Sequence, residues 1–192
     1  AVAGALVLGG AGAAAAAVNW SEEADVRITA VDTDTASGGH RLNSLSVEGG
    51  SLAYTGTPGG GEGQLFIREF LNISGGELSV NQAAHAGIQG AVDDTSDYTA
   101  TFNMSGGKLS ISGSQVQMKD VNISGGEVSV SGIAGEDSSP NWNDGAMLGS
   151  VDGTFALSGD GKITLGDNAQ LFAPEFNLNG GTISMSASNN PA

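Results

Sequence analysis

The chain has 192 residues, 32 of them Gly and none Cys, and a formal net charge of -15 from 21 Asp and Glu against 6 Lys and Arg. That length allows one domain with a real core. The acidity argues against a nucleic-acid partner, because phosphate binding relies on Lys and Arg, and the lack of Cys excludes a disulfide framework, thiol catalysis and Cys-ligated zinc. An acidic surface suits a protein that must stay soluble at high local density or that meets cations. Ser, Gly, Thr, Asn and Asp dominate and aromatics make up 5%, a balance closer to an extracellular β-protein than to a cytosolic enzyme.

The first element is "AVAGALVLGGAGAAAAAV", residues 1–18, an apolar run of mostly Ala and Gly. Four readings stand side by side: the apolar region of a secretory signal, a weakly apolar membrane span, an ordinary internal element, or a small-residue segment made for close packing against a neighbouring chain or the domain's own core. The last is expected, with Val2, Leu6, Val7, Leu8 and Val18 as its contact residues. Membrane contact is not expected in the mature form. Gly10, Gly12 and a later Asp32 imitate a dinucleotide fingerprint. That fingerprint needs a βαβ unit, and no amphipathic helical stretch follows, so no cofactor is expected. Residues 1–20 thus form an assembly or capping segment and residues 21–41, with "VRITAV", a lead-in strand region.

From residue 42 to 192 one phrase recurs: apolar-Asn-apolar-Ser-Gly-Gly-x-apolar-Ser/Thr-apolar. It reads "LNISGGELSV" from Leu71, "FNMSGGKLSI" from Phe102, "VNISGGEVSV" from Val121 and "FNLNGGTISM" from Phe176, with looser copies from Leu45 and Phe155. Apolar residues alternate on both sides of a Gly turn, which predicts two short strands with one buried face. Upstream, "SQVQMKDV" from Ser114 matches "AQLFAPEF" from Ala169 and, with one extra residue, "GQLFIREFL" from Gly63, so each unit carries a third strand. The copies start 26, 31, 19, 34 and 21 residues apart. The short spacings fit one coil of three strands; the long ones add loops such as "AHAGIQGAVDDTSDYTA" and "GIAGEDSSPNWNDGA". Such self-similarity is a solenoid signature. The expected fold is all-β, a parallel β-helix of about six coils, a rod of roughly 29 Å at ~4.8 Å per coil.

The phrase "NISGGEVSVSG" resembles the strand repeats of microbial surface proteins, including autotransporter passengers and pectin-lyase-like β-helices, over roughly Leu42 to Ser188. The resemblance implies a right-handed parallel β-helix outside the cell, at the cell surface, and no particular ligand.

Few residues suggest chemistry. Asp32, Asp34, Asp93, Asp94, Asp97, Glu136, Asp137 and Asp144 fall in stretches read as loops. Calcium favours several oxygen ligands in such loops, which makes Asp93, Asp94 and Asp97 weak metal candidates, but no calcium-loop spacing is present. The cations Arg27, Arg41, Arg68, Lys108, Lys119 and Lys162 and the two isolated histidines, His40 and His85, form no evident acid–base set. No catalytic residue is expected. Outward positions should form ladders: Asn72, Asn103, Asn122 and Asn177 in one, Ser79, Ser110, Ser129, Thr164 and Ser184 in another. Asn19, Asn72, Asn103 and Asn122 are also candidate glycosylation sites by their Asn-x-Ser spacing. The function expected is a structural subunit of an extracellular filament, sheath or surface layer, a homopolymer formed head to tail through the solenoid ends and the N-terminal segment. The alternative is a surface adhesin or carbohydrate-binding module that meets surface glycans through its loops.

Overall fold

The computed structural model describes residues 20–29, 33–37, 39–55, 64–81, 87–92, 97–132 and 145–186. Among these there are eighteen strands and no helix. The chain opens with β1 (Ala24–Ile28), β2 (Thr33–Ser37), the long β3 (His40–Val47) and β4 (Ser51–Thr55). It continues with the long β5 (Leu65–Ile73), β6 (Glu77–Asn81) and β7 (Gly87–Gln89). Next come β8 (Thr101–Met104), β9 (Lys108–Ser112), β10 (Gln115–Met118), β11 (Asp120–Ile123) and β12 (Glu127–Ser131). The last two sets are β13 (Ala146–Ser150), β14 (Thr154–Leu157) and β15 (Lys162–Leu165), then β16 (Ala169–Phe172), β17 (Glu175–Leu178) and β18 (Thr182–Met185).

All pairings between these strands are parallel. One sheet has seven strands in the order β18-β15-β12-β9-β6-β4-β2. The other has eleven and splits at β5, whose first half pairs with β7 and whose second half pairs with β8. Three ladders result. One runs through the first halves of β3 and β5, then β7, β10, β13 and β16. The second runs from β1 through the second halves of β3 and β5 to β8, β11, β14 and β17. The seven-stranded sheet is the third. The chain visits the ladders in turn and returns, an arrangement consistent with a parallel β-helix.

Register explains the repeated phrase. Leu45, Leu71, Phe102, Val121, Phe155 and Phe176 stack as one column, and Leu52, Leu78, Leu109, Val128, Ile163 and Ile183 as another. From Leu45 to Leu165 these apolar positions are at most 8% exposed and form one core. The alternate residues Asn122 and Ser129 are exposed, as period-2 alternation requires. The Gly-Gly corners stack too. Gly107 has φ +75, and a β-carbon there would lie 2.7 Å from the Gly75 carbonyl carbon. Only glycine suits both that backbone and that approach.

Three features add to the sequence reading or depart from it. Val26 and Ile28 pair with Leu45 and Val47, so the lead-in region supplies a further strand in each sheet, β1 and β2, before the first copy of the phrase. The stretch read as a loop from Ala84 contains β7, which pairs with β5 and β10; with Ile88 as its one large apolar residue it carries no alternation to detect. Asp34, read as a loop acid, lies on β2 in register with Leu52. The extra residue suspected before Leu71 is real: residues 67–69 separate the two paired halves of β5, where Met118 and Lys119 suffice between the equivalent positions Gln117 and Asp120.

Val128 is 2% exposed. Val128→Asp would bury a carboxylate with no partner, and the expected loss exceeds about 4 kcal/mol. Ser129→Ala, one residue away on the outer face, should cost under about 1 kcal/mol. Urea unfolding of both variants followed by circular dichroism measures the difference; equal stability would show that the assigned faces are wrong.

Candidate functional site

The two ends of the stack differ. At the β1 end, Val26 and Ile28 are buried at 4% and 0% exposure, although β1 pairs only with β3 among the described residues. Trp20 packs against the core there and meets His40 at 5.2 Å between ring centroids. At the other end β16, β17 and β18 each pair on one side only among the described residues. The columns buried from Leu45 and Leu52 onward surface on these strands: Phe176 is 45% exposed, Leu178 54%, Ile183 38% and Met185 80%. One face of Phe176 rests on buried Phe155, centroids 5.5 Å apart. The site is therefore an apolar core in cross-section, bordered by backbone N–H and C=O groups aimed along the stack. A sheet edge of this kind is a template for another strand.

The flanks of the stack are polar ladders. Asn103 Nδ2 donates to Asn72 Oδ1 at 3.0 Å and Asn122 Nδ2 to Asn103 Oδ1 at 3.2 Å. The expected fourth member does not join: Ala156 stands between Asn122 and Asn177 in the register, and Asn177 Oδ1 instead accepts from Asn179 at 2.6 Å. The hydroxyl ladder is complete in register from Ser79 to Ser184, with Ser129–Ser110 at 3.3 Å and Thr164–Ser184 at 3.2 Å. Beside it Glu77, Lys108, Glu127 and Lys162 occupy one column with alternating sign. Lys162 lies 3.6 Å from Glu127. These side chains and the hydroxyls border a shallow groove of about 390 Å³ on the outer face of the seven-stranded sheet.

The first ladder hides a second, smaller packed layer that the alternation did not reveal. On its outer face Phe66, Gln117 and Met147 are buried, at 3%, 8% and 6% exposure. Arg41 sits over the Phe66 ring at 5.6 Å, the Phe172 ring fills the space above Gly149, and Tyr98 donates to Gln117 Oε1 at 2.7 Å. Burial, with Asp152 nearby, raises the Tyr98 hydroxyl pKa. Gln117 passes the bond on to Gln115 Oε1 at 2.9 Å. The signal was Gln and Met at strand positions that elsewhere carry small outward residues.

Other candidates are dispersed. Of the three metal candidates Asp97 alone is described; Asp93 and Asp94 lie outside the described residues, as do Asp32, Glu136, Asp137, Asp144 and His85. No group of three or more His, Asp or Glu is placed to hold a metal ion among the described residues. Val2, Leu6, Val7, Leu8, Val18 and Asn19 also fall outside them. Arg27 pairs with Glu48, which raises its pKa by hydrogen bond and charge, and Arg68 pairs with Glu23 at 2.7 Å. The amide nitrogens of Asn103 and Asn122, where a glycan would attach, are committed to the Asn ladder.

Comparison with family models, curated proteins and solved structures finds no match to this chain, so the site is read from its own geometry.

Asn103 both donates and accepts in its ladder. Asn103→Ala should therefore lower stability by about 1–2 kcal/mol, two exposed amide bonds at roughly 0.5–1 each. Ala156→Asn, which would link Asn122 to Asn177, should raise it by up to about 1 kcal/mol. Thermal melts of the two variants check the opposite signs. Removal of divalent ions with EDTA should leave the melting temperature unchanged; a drop would make Asp93, Asp94 and Asp97 the first ligands to substitute.

Proposed function

We propose that this protein is a structural subunit that self-assembles head to tail into an extracellular filament, sheath or surface layer. The reading takes the fold as a right-handed parallel β-helix of the microbial surface type, with the three ladders as its sides and one coil per strand of the seven-stranded sheet. The observation that carries it is the exposed core cross-section at β16–β18. Phe176, Leu178, Ile183 and Met185 occupy columns that are buried at every earlier strand from Leu45 and Leu52 onward. Burying an apolar side chain of this size stabilises by roughly 1.5–3 kcal/mol, and the unpaired backbone edge adds directionality. A contact between unlike ends is heterologous, and unless its rotation closes a ring it grows an open fibre.

A surface adhesin or carbohydrate-binding module is the second reading. It is favoured by the groove beside the hydroxyl ladder, whose Glu, Lys, Ser and Thr side chains suit polar ligands more than an apolar one. The two readings use different faces, so one variant separates them. Met185 is 80% exposed on the last strand. Met185→Asp should leave a folded chain of near-parent stability, since surface changes usually fall within about 0.5 kcal/mol, and should abolish fibres in negative-stain microscopy and the rise in light scattering. A parent protein that stays monomeric at every concentration, while binding glycans on an array, would favour the second reading.

A further inference from the structure

Residues 6–16, "LVLGGAGAAAA", repeat the pattern of Phe155–Leu165, "FALSGDGKITL". Leu6 and Leu8 match Phe155 and Leu157, Gly10 and Gly12 match Gly159 and Gly161, and Ala14 and Ala16 match Ile163 and Leu165. The glycines are the telling part. Gly159 has φ +58, and a β-carbon there would lie 2.3 Å from the Ser124 carbonyl oxygen. A second measure agrees. Leu6 and Leu8 lie 20 residues before Val26 and Ile28, and Ala14 and Ala16 lie 20 before Asp34 and Ala36. Those four targets sit on β1 and β2 at the same register positions as Leu45, Val47, Leu52 and Tyr54. An offset of 20 falls among the shortest observed returns to a ladder, 19 residues from Asn103 to Asn122, 20 from Ile163 to Ile183 and 21 from Phe155 to Phe176.

We infer that the occupant of the open end is residues 6–16 of a second copy of this chain, seated as one more level in register with β17 and β18. This rests on the head-to-tail reading above and names its contact. Leu6 stacks on Phe176 and Leu8 on Leu178, while Ala14 and Ala16 leave room over Ile183 and Met185. Parallel strand addition pairs the free backbone edge, and the side chains complete the apolar columns. Charge favours this occupant over any other surface of the protein. Two copies of net charge -15 repel, yet residues 1–18 carry no charged residue and β16–β18 carry one, Glu175. The like charges are kept to the flanks, where salt screens them.

In this register Val7 stacks on Asn177, both at outward positions. Parallel neighbours are about 4.8 Å apart, within the Cα separation a disulfide spans, and the chain has no cysteine of its own. Full-length Val7→Cys and Asn177→Cys proteins are therefore mixed under mild oxidation, with Ser184→Cys replacing Asn177→Cys as the off-register control. Each variant carries a single cysteine, so any such bond is intermolecular. The expected result is a two-chain species on non-reducing gels that is most of the protein for Val7→Cys with Asn177→Cys and at least tenfold less with Ser184→Cys. Fibres that form without this bond, or with the control preferred, would overturn the register while the filament reading stands. An absence of fibres from the parent protein in microscopy would overturn both.

Discussion

Everything in this molecule depends on parallel backbone pairing at a spacing of about 4.8 Å. At that distance a residue's nearest neighbour is its own counterpart one level away. A side chain is tolerated only if it can stack on that counterpart, and the columns show which ones can. Aliphatic and aromatic groups fill the interior, Asn extends by amide bonds, and Ser and Thr share hydroxyl bonds. Where charges follow one another in a column they alternate in sign, as in Glu77, Lys108, Glu127 and Lys162. Like charges directly opposite one another would destabilise the pair. The acidic excess is thus kept mainly off these stacked columns, and the ladders stay near neutral.

The same constraint makes the ends. A stack satisfies its interior strands twice and its terminal strands once, so the problem of edge pairing is confined to two small surfaces. The asymmetry between them is the most informative result of the structure. Val26 and Ile28 are covered, whereas Phe176 and Leu178, their equivalents at the other end, are about half exposed. Under the head-to-tail reading proposed above, this difference between the ends would give growth a direction.

The fold was legible because the phrase has a strict period on either side of Gly-Gly, and stacking demands that each copy carry apolar residues at the same places. Val121, Ile123, Val128 and Val130 could be placed in the core with Leu71, Ile73, Leu78 and Val80 from the alternation alone. Elements without two large apolar residues at i and i+2 were missed. β7 has only Ile88, and β13, "AMLGS", buries all five residues and so shows no alternation. The break of the Asn ladder at Ala156 comes from the looser copy that starts at Phe155, which carries Ala where its neighbours carry Asn and stacks between them.

The apolar segment of residues 1–18 does not read as a copy of the phrase, for a physical reason. Recognition of the other copies rested on the polar outward residues, Asn and Ser, and on large inward ones. Residues 6–16 have neither at the matching places of the phrase, where the sequence has Val7 and Ala15 in place of the polar residues and Ala14 and Ala16 in place of two large apolar ones. What survives is the glycine spacing, which encodes backbone shape, and the 20-residue offset, which encodes chain length per level. If residues 6–16 join two molecules, as inferred above, that level would need only the right path and an uncharged face that two acidic subunits can share. Loss of the side-chain signature with retention of the glycine spacing is what such a requirement would leave in a sequence.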